Sequence, residues 1–83
     1  MSEKEICNKL IEKMNLYVKA FEEGIPNVSE EHARSRKKTY HESIAVIQDT
    51  ARFLCPAYQS EVNAHANECR IAFDEIWENY YES

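Results

Sequence analysis

The chain has 83 residues, of which 43% are hydrophobic and 30% charged, and its 15 acidic and 10 basic residues leave a net charge of −5. This length holds one domain, 1–83, with a thin core, and the composition excludes a disordered or membrane-spanning chain. One Gly and two Pro exclude a turn-rich β architecture, which needs frequent turn residues.

The first residues and the cysteines indicate the compartment. The start, Met-Ser-Glu-Lys-Glu, lacks the apolar run of a secretory signal, and no stretch approaches the ~18 apolar residues of a membrane span. Cys7, Cys55 and Cys69 form no CxxC pair. An odd number of cysteines favours free thiols in a reducing compartment. We therefore expect a cytoplasmic protein that does not enter a membrane.

The first helix is predicted over about 3–23. Its apolar residues recur at intervals of three and four, which places them on one helix face. These residues are Cys7, Leu10, Met14, Tyr17 and Phe21. Ser2 suits the N-cap, and Gly24 followed by Pro26 is typical of a helix end.

The second helix is predicted over about 30–54, between an N-cap at Ser29 and the break at Pro56. Its apolar face consists of Tyr40, Ile44, Ile47, Ala51 and Leu54. One turn earlier, where an apolar residue is due, the sequence has Arg36 and Lys37. The pattern therefore predicts an apolar face that is interrupted near the start of this helix.

The third helix is predicted over about 57–81. Its apolar face consists of Tyr58, Val62, His65, Cys69, Ala72 and Ile76, with Ala66, Phe73 and Tyr80 beside it. The short connections make neighbouring helices antiparallel. The sequence therefore predicts an all-α fold, an up-down-up antiparallel three-helix bundle that assembles into a homo-oligomer.

A basic cluster in the second helix is the densest charged feature of the chain. It consists of Arg34, Arg36, Lys37 and Lys38, with His41 close behind. In one interpretation these side chains pair with Glu22, Glu23 and the acidic end of the third helix, which lie at the same end of the bundle. In the other, the cluster binds an anion such as a phosphate, a nucleotide, a nucleic acid or an acidic partner.

Within this cluster, Arg36 and His41 form an Arg-x4-His string of six residues. The string resembles the RNA-cleaving motif of the helical HEPN nucleases. The resemblance implies that His41 is an acid–base residue and that Arg36 orients and stabilises a phosphate. A small ribonuclease is therefore one alternative function.

His65 and Cys69 are four residues apart, a spacing at which two helical side chains can share a metal. Zinc needs about four ligands, and no second helical pair supplies the others. We therefore expect His65 to lie in the core beside a hydroxyl such as that of Tyr40. A glycine-rich phosphate loop and a nucleophile elbow are both missing from the sequence. We expect no metal, no cofactor and no enzyme activity.

Several apolar residues fall outside the predicted core faces. They are Leu16, Val46, Phe53, Ile71 and Trp77. A thin monomeric bundle does not ordinarily expose so many, and small helical chains often complete their cores by pairing. These positions predict an interface with a second copy or a protein partner, and the alternative is a monomer whose helices splay and bury them.

The function predicted from these patterns is that of a small acidic protein-binding module, an adaptor or an inhibitor of a host or cognate protein. A viral or mobile-element origin would suit such a chain. The alternative from another class is a nucleotide or nucleic-acid binder that uses the basic cluster, with Tyr40 or Trp77 able to stack on a base.

Overall fold

Three α-helices make up most of the structure, a computed structural model that describes residues 1–82. The elements are α1 (Glu3–Gly24), a 3₁₀ helix (Ile25–Asn27), α2 (Glu30–Leu54), a 3₁₀ helix (Pro56–Tyr58), α3 (Gln59–Trp77) and a π-helix (Glu78–Glu82). Within this range the structure has no strand, and none of its helices has the length and apolar character needed to cross a membrane. Ser83, the last residue of the predicted domain, lies outside the described residues.

The first two helices begin at the serines that the sequence marks as N-caps. The hydroxyl oxygen of Ser2 accepts a hydrogen bond from the backbone N–H of Glu5 at 3.2 Å. The hydroxyl oxygen of Ser29 accepts one from the backbone N–H of His32 at 3.1 Å. Each bond satisfies one of the donors that a helix leaves unpaired in its first turn. The predicted starts of both helices are confirmed.

Contacts at the two ends of the molecule establish the direction of each helix. The backbone N–H of Ala57, just before α3, donates to Glu3 Oε1 at 3.2 Å, so the starts of α1 and α3 are adjacent. At the other end, the Phe21 ring of α1 lies 5.7 Å from the Phe73 ring of α3. Tyr40, early in α2, stacks on Phe73 at 5.7 Å. Consequently α1 and α3 run in the same direction and α2 runs against both.

The core lies along the axis between the three helices. Its buried residues are Cys7, Met14, Phe21, Ile25, Ala33, Ile44, Ile47, Ala51, Cys55, Val62, Ala66, Cys69 and Phe73. In α1 the buried positions recur every seven residues, which keeps them on one face of the helix. No polar side chain is buried among the described residues. Apolar packing therefore holds the centre of the bundle together.

Gly24 ends α1, as the sequence predicts, but its backbone is right-handed, with φ −84° and ψ −25°. The left-handed conformation that usually explains a glycine at a helix end is not used here. A Cβ at this position would lie 3.3 Å from Arg36 Nη1 of α2. The absence of a side chain on Gly24 therefore makes room for the guanidinium group of Arg36.

Two residues predicted to lie on or beside the core faces are exposed instead. Leu54 is 52% exposed because α2 ends there, and Cys55 occupies the core at that level. Tyr80 is 48% exposed because the end of α3 changes to a π-helix, whose wider turn shifts the side chains. Tyr81 packs against the core in its place, with its ring 4.4 Å from that of Trp77.

Candidate functional site

Two members of the basic cluster face α3. Lys37 Nζ lies 2.6 Å from Asp74 Oδ1, and the Arg34 guanidinium lies over the Trp77 ring, 5.3 Å from its centroid. Lys38 points outward and is exposed. One interpretation of the sequence predicts that the cluster pairs with Glu22, Glu23 or the acidic end of the third helix, and Asp74 belongs to that end. Glu23 instead pairs with Lys19 of its own helix at 4.0 Å.

Arg36 faces the opposite side of α2, toward α1. Its Nη2 donates a hydrogen bond to the Tyr40 hydroxyl at 3.0 Å, and its guanidinium group lies against Gly24. No carboxylate within residues 1–82 forms an ion pair with it. The Arg36 side chain is half-buried in the turn where the apolar face of α2 is interrupted. Most of its N–H donors make no hydrogen bond within the described residues.

His41 lies on the α3 side. Its Nε2 is 3.9 Å from Asp74 Oδ1, and its ring centroid is 5.3 Å from that of Phe73. Burial lowers the pKa of His41 below its ordinary value, and the neighbouring charge of Lys37 lowers it further. Because Arg36 faces α1, the structure does not bring the two residues of the HEPN-like string to a common point.

His65 occupies the flank of α3 that faces α1. Its Nε2 lies 2.6 Å from Asn15 Oδ1, and its Nδ1 lies 3.5 Å from Glu68 Oε2. The predicted hydrogen bond to Tyr40 is wrong, because that hydroxyl accepts from Arg36 nearer the other end of the bundle. In the part of the chain that the structure describes, no three His, Cys, Asp or Glu residues are placed to hold a metal.

All three cysteines are free and buried. Burial raises the pKa of each thiol, chiefly because the interior disfavours the thiolate. A buried thiol of this kind packs as a small apolar side chain and reacts poorly. The cysteines therefore belong to the core and contribute no reactive group to a site.

The five apolar residues predicted to form an interface lie on three different faces. Val46 is 62% exposed and Phe53 79% exposed, two turns apart on one side of α2. Leu16 is exposed on the outside of α1, and Ile71 on the outside of α3. Trp77 is half-buried between Arg34 and Tyr81. Val46 and Phe53 share a surface on α2.

That surface borders a groove between α1 and α2. The groove encloses about 210 Å³ and is lined by Leu10, Lys13, Tyr17, Ser43, Val46, Ile47 and Thr50. A hollow of about 190 Å³ follows it along α2 and is lined by Ser35, Arg36, Thr39 and Tyr40. We refer to these two stretches together as the α1–α2 groove. Each of the two hollows has apolar and hydroxyl groups in its lining and one cation.

The lining of the α1–α2 groove contains no acidic residue, although the chain has 15 of them. Lys13, like Arg36, has no carboxylate partner among the described residues. The hollow between α1 and α3, by contrast, is lined by Glu22 and Glu68. On α2, Glu42 and Asp49 lie one turn to either side of Val46 but outside the lining. The lining of the groove is therefore cationic, although the protein is acidic.

The contacts between α1 and α2 differ in kind from those between α2 and α3. Arg70 and Asn63 of α3 both hydrogen-bond the Gln48 side chain, at 2.6 and 3.0 Å. Ring contacts connect α1 to α2, among them Tyr17 against Tyr40 at 5.7 Å. No hydrogen bond or ion pair joins α1 to α2 within residues 1–82.

The sequence patterns identified Val46, Phe53 and Arg36 but did not connect them, and they missed Lys13 as a site residue. A second stripe along α2 carries the missing signal. Its members, at intervals of three and four, are Ser35, Thr39, Ser43, Val46, Thr50 and Phe53. None of these six residues is charged, but Glu42 and Asp49 flank the stripe one turn from Val46, so the stripe is an uncharged strip within a solvated helix side.

The chain matches no family model, and comparison with curated proteins and with solved structures gives no significant match.

Proposed function

We propose that this chain is a protein-binding module, an adaptor or an inhibitor, and that its partner binds in the α1–α2 groove. The observation that carries the proposal is the 79% exposure of Phe53, which lies one turn beyond Thr50, at the end of a groove that Thr50 and Val46 line. Large aromatic side chains that anchor in a partner contribute much of the energy of a protein interface. A fully buried Phe side chain contributes about 1.5–3 kcal/mol relative to an exposed one.

The groove supports protein binding better than a small-molecule site. Its two open hollows follow one another along α2, the first of them against α1, and their linings combine apolar side chains with hydroxyl groups. Small ligands are usually enclosed on most of their surface, whereas a helix or an extended segment lies along an open groove. The cytoplasm suits such a module, since its three thiols are free.

The nucleotide or nucleic-acid alternative has less support from the geometry. Lys37 is paired with Asp74, Arg34 is packed on Trp77, and Arg36 faces another helix. A site that neutralises phosphates needs several cations directed to one place. The basic cluster therefore supports protein binding only through Arg36, which lines the groove.

Self-association is the other occupant expected from the sequence. In a symmetric dimer formed face to face, the same patch meets itself. Such a pairing through the α1–α2 groove would place Lys13 and Arg36 of both copies in one interface, with no carboxylate in either lining. A partner of a different kind is therefore the proposal that the charges favour.

A photo-crosslinking amino acid at position 46 or 53 tests this function in the source cell. The matched control carries the same group at Ala64, an exposed position on α3. We expect one protein to be crosslinked from both groove positions and not from the control. That protein, once purified, should bind the chain in solution.

The same complex then gives a second test. Changing Phe53 to Asp should abolish binding to the purified partner while the chain stays helical, and changing Ala64 to Asp should leave binding intact. Equal crosslinking from position 64, or unchanged binding after the Phe53 change, would contradict the proposal. Light scattering on the chain alone measures self-association: a dimer that the Phe53 change dissociates would identify the second copy as the occupant.

A further inference from the structure

We infer that the occupant of the α1–α2 groove is an acidic amphipathic helix of the partner protein, an inference that rests on the proposed function. The groove presents Lys13 and Arg36 without carboxylate partners, and no Asp or Glu lines it. Complementary charge selects a partner and orients it, because like charges brought together at an interface are strongly unfavourable. A segment that carries acidic residues meets this requirement.

The apolar wall of the groove determines where the partner helix must carry apolar residues. Leu10, Tyr17 and Val46 line the groove, and Phe53 extends along the same side of α2. A helix that lies in such a groove inserts apolar residues at positions i, i+3 or i+4, and i+7. The partner segment should therefore alternate between one apolar face and acidic edges.

The dimensions of the groove fit a helix of about four turns. From Ser35 to Thr50 the lining follows α2 for about 22 Å, at 1.5 Å per residue. Tyr17 of α1 packs against Tyr40 of α2, and on these antiparallel helices Lys13 and Arg36 each lie four residues before that contact, in opposite directions. The two cations are therefore separated by roughly 12 Å along the groove. Acidic residues about two turns apart on a partner helix would reach both.

Lys37, Arg52 and Lys19 each have an acidic residue within ion-pair distance. The other seven Lys and Arg residues have none among the described residues, and Lys13 and Arg36 are the two of these that line the groove. Arg36 instead is held by the hydroxyl of Tyr40 and the space above Gly24. The protein thus positions this guanidinium beside the groove while leaving its charge uncompensated.

Three fluorescein-labelled peptides of about 16 residues, long enough for four helical turns, test the inference with the full chain. The first has leucines on one helix face and glutamates along its edges. The second replaces each glutamate with lysine, and the third scrambles the first so that it has no apolar face. In anisotropy titrations we expect the first to bind at least about tenfold more tightly than either of the others. Amide NMR shifts should concentrate around Lys13, Arg36 and Val46.

Two double variants locate the contact. Changing Lys13 to Glu together with Arg36 to Gln should weaken binding of the acidic amphipathic peptide about tenfold and reduce its dependence on salt. The matched control changes Lys38 to Glu together with Arg52 to Gln, two exposed positions on the outer side of α2. It should leave the affinity within about twofold, as expected of charges outside the contact.

The inference is overturned if the lysine peptide binds as tightly, if the scrambled peptide does, or if both double variants lose affinity equally. It is also overturned if a single-stranded RNA oligonucleotide outcompetes the acidic peptide, or if a second copy fills the groove. A crosslinked partner segment that lacks acidic residues would defeat this inference and leave the proposed function standing. The absence of groove-specific crosslinking would defeat the proposed function itself.

Discussion

Lys37 of α2 and Asp74 of α3 form an ion pair whose Nζ and Oδ1 atoms are 2.6 Å apart. The pair compensates one charge of the basic cluster within the molecule. His41 approaches the same carboxylate at 3.9 Å. The part of the cluster that faces α3 is therefore a structural contact between helices, and Arg36, on the other side of α2, remains without a carboxylate.

Changing Lys37 to Met should reduce the free energy of unfolding by about 1 kcal/mol or less, because the pair is partly exposed to solvent. Its Asp side chain is 54% exposed. Urea melts of this variant, of Asp74→Asn and of the double variant form a cycle that isolates the pair. Lys38→Met is the control. If this exposed position lost as much free energy of unfolding as Lys37→Met, the ion pair would make no contribution to stability.

The stability of the fold should decrease as the pH falls below the ordinary histidine pKa. Burial, followed by the charge of Lys37, lowers the pKa of His41 below 6.5, while Asp74 opposes this shift. The unfolded chain therefore binds a proton more readily, so the contribution of His41 is present above about pH 6.5 and is lost as the pH falls through its folded pKa.

Urea melts from about pH 7.5 to about pH 5 should show this loss, and His41→Gln should reduce it. Ala64→Gln, at an exposed position on α3 without a titratable group, is the control and should leave the slope unchanged. A His41 variant that follows the wild-type pH dependence would contradict the assignment.

Changing Ile47 to Ala should reduce the free energy of unfolding by about 2–5 kcal/mol, because the cavity lies at the middle of α2 in a close-packed core. Ile47 is 4% exposed. Lys19→Ala should cost under about 0.5 kcal/mol, since its side chain is largely exposed. Denaturant melts compare the two, and equal losses would show that α2 does not bury Ile47.

Phe53 and Trp77 should respond differently to the same change. Phe53→Ser should leave the free energy of unfolding within about 0.5 kcal/mol, because the ring is exposed. Trp77→Ser should reduce it by about 1–3 kcal/mol, because the indole packs beneath Arg34 and against Tyr81. Thermal melts followed by circular dichroism measure both. A larger loss at Phe53 than at Trp77 would mean that Phe53 belongs to the core.

The three thiols should react slowly with a small alkylating reagent while the chain is folded. Cys7, Cys55 and Cys69 are buried, and their raised pKa values reduce the thiolate fraction. Adding urea should increase all three rates together at the unfolding transition, as mass spectrometry of the alkylated peptides would show. Rapid alkylation of one cysteine in the native chain would reveal local opening there.

The helices and their core faces could be predicted from the sequence because apolar spacing and capping residues are local signals. Ser2 and Ser29 cap the helices as predicted, and the buried stripe of α1 was assigned correctly. The exposure of Tyr80 was not predictable, because the apolar spacing of α3 gives no sign of the change to a π-helix after Trp77.

The candidate site could be predicted only in part. The exposure of Val46 and Phe53 follows from the helical pattern. The relation of Arg36 to Gly24 depends on how two helices pack, and no local spacing reports it. No sequence pattern pointed to Lys13 as a site residue, because its role depends on the absence of carboxylates among the α2 residues that line the groove with it.

The uneven distribution of polar contacts has a consequence for motion. Hydrogen bonds and an ion pair join α2 to α3, whereas apolar and ring contacts alone hold α1 against α2 in the described residues. Separating α1 from α2 breaks no polar bond along the groove, and the polar contacts that join α1 to the α3 side are those of Asn15 with His65 and of Glu3 with Ala57. The α2–α3 hairpin has three hydrogen bonds at Gln48 and the Lys37–Asp74 ion pair, so it should persist longer when the native chain opens locally. Amide protons of α1 should then exchange with deuterium sooner than those of α2. The α1 side of the groove would therefore be the side that opens first.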